Sequence, residues 1–368
     1  MRIAGVGSAF PPHYYDQDTL IAALRRAWGQ RHYNLDRLEA LHRNALVGGR
    51  HLALPLDEYP ALTSWSRAND AWIRVARDVG EHAVRGALEA AGVGVDEVDA
   101  FFFVTVTGVS TPSLDALLMN RLHLPARVKR TPIFGLGCVA GAAGLARAAD
   151  YVRAWPEHVA VLLSVELCSL TFQRDDLSVP NLIATGLFGD GAAAAIVVGD
   201  EFRPTLGLPA IAPRAKAGPS NGRSGSSRIL ASRSVFYPDS ERVMGWDVSD
   251  TGFRIVLSAE VPNVVLAHMA EDVDAFLGDQ GLTRRDIARW IAHPGGPKVL
   301  EAVQQALGLP DAALEASWRT LREVGNLSST SVLLVLEEAV RNPPPASSYG
   351  VVVAMGPGFC SELVLLRW

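Results

Sequence analysis

Residues Thr131–Gly144 read TPIFGLGCVAGAAG. Pro132-Ile133-Phe134 is a short apolar run of the kind that makes a buried strand. Gly137-Cys138 follows it. Small residues then lead into a helical spacing of apolar positions at Leu145, Ala148, Ala149 and Val152. Strand, tight turn and helix in succession place the Cys138 sulfur at a helix N-terminus. Free backbone N–H groups and the helix dipole favour an anion there, so the thiol pKa is expected to fall. The alanines and glycines beyond Cys138 allow other groups to approach the sulfur closely. A second reading stays open, since a lone cysteine also serves as a small buried apolar residue.

The segments on either side repeat this scheme. Asp99–Thr107 (DAFFFVTVT), Val159–Val165 and Gly191–Val198 are continuous apolar runs of strand type. Thr111–Leu122 reads as a helix with Pro112 at its first position. Upstream, Ile3–Val6 reads as a strand, and Thr19–Trp28 and Asn34–Arg43 as amphipathic helices. A basic patch follows at Arg43, Arg50 and His51. Ser66–Gly92 is a long helix with Trp72, Val75, Val79, Ala83 and Leu88 toward one face. Downstream, Thr205–Ala212, Phe253–Ser258, Trp290–His293, Val351–Met355 and Leu363–Leu366 read as strands. Val261–Gly278, Lys298–Leu307 and Asn326–Val340 read as helices. Lys216–Ser227 (KAGPSNGRSGSS) reads as a surface loop and Pro343–Pro345 as a rigid connection. Apolar strands alternating with helices predict an α/β fold, with mostly parallel strands covered on both faces. The halves meet near Gly199–Arg203, and their similar order of elements points to a duplication.

The chain has 368 residues, 49% hydrophobic, with a formal net charge of -5. That length holds a large core or two domains. Mild acidity without a long Lys/Arg run argues against nucleic acid as a partner. Cys138, Cys168 and Cys360 make an odd, sparse set, which is neither a disulfide framework nor a spaced metal cluster. A reducing cytoplasmic setting fits. The opening MRIAGVGSAFPP runs straight into a strand, so no leader peptide is expected, and no apolar run is long enough to span a bilayer.

Four further stretches carry chemistry. In Trp290–Lys298 (WIAHPGGPK) an apolar strand ends in His293, where α/β folds place functional groups. In Glu323–Ser331 (EVGNLSSTS), Asn326 reads as the cap of a helix beginning at Leu327. Val353–Glu362 (VAMGPGFCSE) holds Gly356-Pro357-Gly358, a rigid turn suited to a cavity wall. In Leu187–Ala194 (LFGDGAAA), Asp190 reads as a turn-holding residue and Phe188 as core or cavity lining. Each of these also has a plain structural reading. Together, Cys, His and Asn from three strand-to-helix junctions favour thioester chemistry. A thiolate beside an imidazolium accepts acyl groups, and a His with an Asn can donate to one developing oxyanion.

GLGCVAG at Cys138, GLFGDGAAAAIV at Asp190, WIAHPGGPKVLEAV at His293, GNLSSTSVL at Asn326 and MGPG at Met355–Gly358 stand in the order and spacing of a known family. From Ile3 to Arg367 the chain resembles the type III polyketide synthases, the chalcone-synthase-like branch of the thiolase superfamily. The resemblance implies a five-layered αβαβα thiolase-like fold with two pseudo-repeated halves, 1–200 and 201–368, and a homodimer. It implies Cys138 as acyl-accepting nucleophile, with His293 and Asn326 as the decarboxylation and oxyanion pair. Phe188 and Phe253 match the aromatic gatekeepers. Thr107, Thr171, Met244 and Ser328 match cavity-lining positions, and Gly356, Pro357 and Gly358 the loop shaping the cyclisation chamber. Thr111 matches the position that reaches into the neighbouring subunit. The implied substrates are an acyl-CoA starter and malonyl-CoA, with no metal or redox cofactor. Lys298 and Arg50 are candidates for the CoA phosphates, while Asn44 stands where the family places a lysine.

Some positions depart from the plant pattern. Ala354-Met355 replaces Gly-Phe, and Phe359-Cys360 follows the loop. Phe236–Phe253 is similar to bacterial members that take fatty acyl starters to alkylpyrones or alkylresorcinols, and Cys168 falls at a cavity-facing position. An initiating ketoacyl-ACP synthase shares the Cys/His/Asn set. It carries His-Gln-Ala-Asn where this chain has His-Pro-Gly-Gly-Pro. A non-catalytic thiolase-fold partner subunit has no need of all three residues.

Overall fold

A computed structural model describes residues 1–28, 34–204 and 227–368. The predicted strand Thr205–Ala212 and all of the predicted loop before Ser227 lie outside the described residues. In the first half the elements are β1 (Arg2–Ala9), β2 (His13–Asp16), α1 (Gln17–Trp28), α2 (Leu35–Arg43), β3 (Gly49–Leu52) and α3 (Trp65–Ala91). They continue as β4 (Ala100–Thr105), α4 (Leu114–Leu122), β5 (Lys129–Phe134), α5 (Ala140–Ala154), β6 (Val159–Leu167), α6 (Val179–Leu187) and β7 (Asp190–Val198). The second half holds β8 (Ser227–Phe236), β9 (Met244–Ser249), β10 (Gly252–Leu257), α7 (Val261–Gly278), β11 (Ile287–Ala292) and α8 (Pro297–Leu307). Last come α9 (Glu315–Val324), α10 (Ser329–Arg341), β12 (Tyr349–Gly356) and β13 (Cys360–Arg367).

Among the described residues the large sheet has nine strands in the order β11-β12-β13-β8-β1-β7-β6-β4-β5. Among the described residues its two parts are joined where Arg2 stands opposite Arg228 and Ile3 opposite Ser227, with the Ile229 N–H donating to Met1 O at 3.2 Å. The alternation along each strand defines the layers. Phe101, Phe103, Val161 and Leu163 point into a core shared with Trp72, Ala76, Val79 and Ala83 of α3. Their neighbours Phe102, Val104, Ala160 and Leu162 point into a central core holding α5 and α10. Val352, Ala354, Val364 and Leu366 of the second half enter that same central core. Val351, Val353, Leu363 and Leu365 face outward onto α7 and α8. The layers are therefore helix, sheet, helix, sheet, helix, the thiolase-like arrangement, with α5 and α10 sandwiched between the sheets. No helix among the described residues is long and apolar enough to cross a membrane.

Several expectations need correction. The sheet is mixed rather than mostly parallel: β4 runs parallel to β5 and β6, and β11 to β12, while the remaining five pairings are antiparallel. A fully apolar strand reports burial of both faces, which an antiparallel ladder satisfies equally well. Pro132-Ile133-Phe134 is not buried. It lies on the edge strand β5, where a residue without an N–H is tolerated, and Phe134 is 50% exposed. Pro112 does not open α4, which begins at Leu114 with Ser113 as its cap. Residues 253–257 pair only with β9, in a separate two-stranded hairpin. Asn326 is neither a helix cap nor at a strand-to-helix junction: it lies between two helices, after α9 ends at Val324 and before Ser328 and α10.

The central layer is tightly drawn at Gly141. A Cβ there would stand 2.2 Å from the Ser329 carbonyl oxygen and 2.6 Å from a Val332 methyl. Gly141→Ala is expected to force α5 and α10 apart and to cost about 1–3 kcal/mol, as overpacking does. Denaturant unfolding of the variant beside the parent measures it.

Candidate active site

Cys138 sits in a 3-10 turn, Gly137–Val139, directly before α5. Gly137 adopts φ 55°. A Cβ there would lie 2.6 Å from the Pro357 ring, and one on Gly356 would lie 2.6 Å from the Val139 nitrogen. The hairpin turn between β12 and β13 thus rests directly on the cysteine turn, and only glycine permits that approach. Across from the sulfur, the Ser328 hydroxyl oxygen stands 3.5 Å from Sγ. Ser328 itself holds φ 46°, a left-handed conformation that ordinary residues seldom adopt.

His293 is the residue after β11, and its backbone N–H donates to the Val353 carbonyl at 2.8 Å. The side chain is buried, and neither ring nitrogen has a hydrogen-bond partner among the described residues. Asn326 is held by its backbone: its N–H donates to Leu187 O and its carbonyl accepts from Gly189 N–H, both at 2.9 Å. Its Oδ1 accepts the Ser328 N–H at 2.8 Å, and Nδ2 donates to Gly295 O at 3.1 Å. These two bonds fix which end of the amide is nitrogen.

Cys138, His293 and Asn326 line one cavity with Phe188, Met244, Ser328, Pro357 and Cys168. It holds about 860 Å³ of atom-free space including its open mouth, and its remaining wall is largely apolar. Burial pushes the Cys138 thiol up to about 12 and the His293 imidazole down to about 4. The expected fall in thiol pKa is therefore reversed for the isolated group. The sulfur is buried and α5 proper starts two residues later, so desolvation outweighs the helix terminus.

Other residues singled out from the sequence fall in different places. Phe188 also borders a second groove, about 1720 Å³ of atom-free space including its opening to solvent, that shares Cys168, Trp246 and Ile255 with the cavity. Thr171 lines that groove. Thr171 and Phe253 line a third, more polar groove, and the Phe253 ring packs edge-on to Trp65 with centroids 5.8 Å apart. Thr107 does not line the Cys138 cavity; its hydroxyl is turned to Glu166 at 2.8 Å, and Val106 lines the cavity instead. Both residues lie in the bend that follows β4, which turns the two side chains different ways. Gly356 supports the cysteine turn by backbone, and beyond Gly358 it is Phe359 that reaches the cavity. Lys298 is exposed in the first turn of α8. Arg50 borders the groove beside Phe188, but it is 2% exposed and spends its guanidinium on Gln17, Gly186 and Thr185. A basic cluster in sequence carries no information on which arginine points inward.

Glu166 is absent from every motif above. It is fully buried and accepts from Thr107, from the Val106 N–H at 3.1 Å and from Ser329, and burial lifts its pKa to about 7. Its signal in the sequence is a lone carboxylate in the otherwise apolar strand VAVLLSVEL.

Residues 1–201 match the N-terminal domain of chalcone and stilbene synthases, and residues 228–368 match the C-terminal domain. The chain is 48% identical over 368 residues to 1,3,6,8-tetrahydroxynaphthalene synthase of Streptomyces peucetius subsp. caesius, covering 100% of this chain and 93% of that one. It is 36% identical to a putative chalcone synthase of Bacillus subtilis, covering 100% and 98%. The crystal structure of 1,3,6,8-tetrahydroxynaphthalene synthase from Streptomyces coelicolor A3(2), a bacterial type III polyketide synthase, superposes with a TM-score of 0.87 at 29% identity, over 100% of this chain and 99% of that one. The chain belongs to the chalcone and stilbene synthase family and is a type III polyketide synthase, an acyltransferase of decarboxylative Claisen condensation.

Proposed function

We propose that Cys138 carries the growing acyl chain, that His293 and Asn326 act on malonyl-CoA, and that the chain is extended and cyclised in the cavity they share. The observation that carries this is the meeting of the three side chains in one largely apolar cavity, with both imidazole nitrogens unengaged by protein among the described residues. The thiol passes its proton to His293 as the sulfur attacks the starter thioester. The carbon–sulfur bond to CoA breaks, and the proton leaves with the CoA thiolate. Malonyl-CoA then loses CO₂, and the electron pair of the broken carbon–carbon bond becomes a thioester enolate. His293 and the Asn326 Nδ2 donate to its oxygen. An apolar wall favours this step, because a compact carboxylate is exchanged for a delocalised enolate and a neutral gas. The enolate carbon attacks the Cys138 thioester and the cysteine leaves as thiolate. The product, longer by two carbons, returns to Cys138 or closes a ring. Each electron pair comes from decarboxylation, so the cycle draws on CoA thioesters alone.

The exposure of Lys298 at the start of α8 supports a role in meeting the CoA phosphates, and the position of Phe188 on both the groove and the cavity supports its dividing the entrance from the reaction chamber. Exposure of Thr111 and of the β5 edge supports a homodimer packed along that edge. The two matched domains support a division into halves 1–200 and 201–368. The reducing cytoplasm fits three free cysteines.

For the product, the 48% relative named for a hydroxylated aromatic supports an aromatic polyketide. The large groove beside Phe188 and Cys168, bordered by Leu20, Leu24, Leu52 and Leu56, favours a second reading: a fatty acyl starter and an alkylpyrone or alkylresorcinol product. A panel from malonyl-CoA alone to long-chain acyl-CoA starters, with products read by mass spectrometry, separates them. The expected main product is a hydroxylated aromatic from malonyl-CoA alone. Turnover only with long-chain starters would overturn that in favour of the alkyl reading. Product from malonyl-ACP but not malonyl-CoA would overturn both.

A further inference from the structure

Arg50 is the most deeply buried cation near the site, and the condensation mechanism gives it no part. Its side chain rises from β3 into the gap between the end of α6 and the turn that carries Asn326. A Cβ on Gly189 would stand 3.2 Å from Arg50 Cβ, and one on Gly325 would stand 3.7 Å from Arg50 Cδ and 2.7 Å from the Leu187 carbonyl oxygen. Nη1 donates to Gly186 O at 2.5 Å and to Gln17 Oε1 at 2.9 Å, and Nη2 donates to Thr185 O. Gln17 Nε2 adds donations to Gly186 O and His42 O, both at 2.9 Å. Thr185 and Gly186 belong to the last turn of α6, where carbonyls have no partner within the helix. A cation is favoured there.

The next three residues carry the connection onward. Leu187 O accepts from the Asn326 N–H, and Gly189 N–H donates to the Asn326 carbonyl, so that Phe188 and Asn326 form a parallel bridge. We infer that Arg50 is a positioning residue for Asn326: by capping the end of α6 it fixes Leu187–Gly189, and through that bridge it fixes where the Asn326 amide meets the enolate oxygen. The inference rests on the role proposed for Asn326 above. The buried Asp190, one residue beyond Gly189, supplies the opposite charge, and Arg50 stays protonated at neutral pH with its pKa at about 10. An arginine committed to two helix-end carbonyls has no free fork for a CoA phosphate.

The test uses the full-length enzyme with Arg50→Lys, Gln17→Met, Asn326→Ala and the double variants. Malonyl-CoA decarboxylation is measured against that of malonyl-N-acetylcysteamine, a thioester without nucleotide phosphates, and Cys138 alkylation is followed separately. Arg50→Lys keeps the charge but loses the fork. It is expected to lower kcat on the order of tenfold to a hundredfold, the scale of a misplaced reacting group. The loss should be equal for both thioesters, leave Cys138 alkylation unchanged, and vanish in the Asn326→Ala background. Should Arg50→Lys not fold, Gln17→Met, which loosens the same cap and leaves the arginine, decides by the same readouts with a smaller loss. A rise in KM confined to the CoA ester would overturn the inference in favour of phosphate binding. Losses additive with Asn326→Ala would overturn it as well. Full decarboxylation by Asn326→Ala alone would overturn the underlying role of Asn326, visible without any Arg50 variant.

Discussion

Cys138→Ala is expected to bring polyketide formation to background, a loss on the order of a thousandfold or more, as deletion of a covalent nucleophile does. Mass spectrometry after incubation with acyl-CoA should find an adduct on Cys138 in the parent and none in the variant. Malonyl-CoA decarboxylation should persist, since its enolate is stabilised by His293 and Asn326 and not by sulfur. That split separates acyl carriage from decarboxylation in a single protein. The substitution removes one sulfur from a turn that glycine geometry holds at Gly137 and Gly356, so the fold should stand. An adduct that survives in Cys138→Ala would sink the assignment.

His293→Gln is expected to weaken both steps. Burial holds the Cys138 thiol up at about 12, so at neutral pH almost no thiolate forms unless a neighbour takes the proton. Burial also lowers the imidazole to about 4, so the resting ring is neutral and takes the proton only as thiolate and imidazolium form together and stabilise each other. The pair then ionises by internal transfer, with no net charge brought into the cavity. Glutamine keeps a hydrogen-bond donor but cannot take a proton. Alkylation of Cys138 by iodoacetamide at pH 7 should therefore fall on the order of a hundredfold, within the range of lost general-base catalysis. Its rate should then climb with pH, since raising the pH alone populates the thiolate. Decarboxylation should fall as well, but less if the glutamine amide reaches the enolate oxygen. An alkylation profile unchanged by His293→Gln would rule out the imidazole as the proton acceptor.

The site is legible in the chain to the extent that its residues sit at element ends. Cys138 and His293 each follow an apolar run, and all three residues, Asn326 included, adjoin glycine or proline, a local pattern that needs no knowledge of distant contacts. Orientation is different. Thr107 and Val106 are neighbours in the bend that follows β4, and their order does not say which faces the cavity. Arg50 shares a basic patch with Arg43 and His51, yet Arg50 turns inward to Gln17 and α6 while Arg43 pairs with Glu39 and Asp18 at the surface. Pro132-Ile133-Phe134 has the composition of a core strand, and only its place at the sheet edge exposes it.

By itself the sequence determined the alternation of apolar strands and helices, the three junction residues and the Gly-Pro-Gly turn, because periodicity and backbone punctuation are local. Only the tertiary structure decided the mixed sheet, the sandwiching of α5 and α10, the raised Cys138 thiol and the inward turn of Arg50. Those depend on desolvation and on partners up to hundreds of residues away, and both come into being only when the layers close.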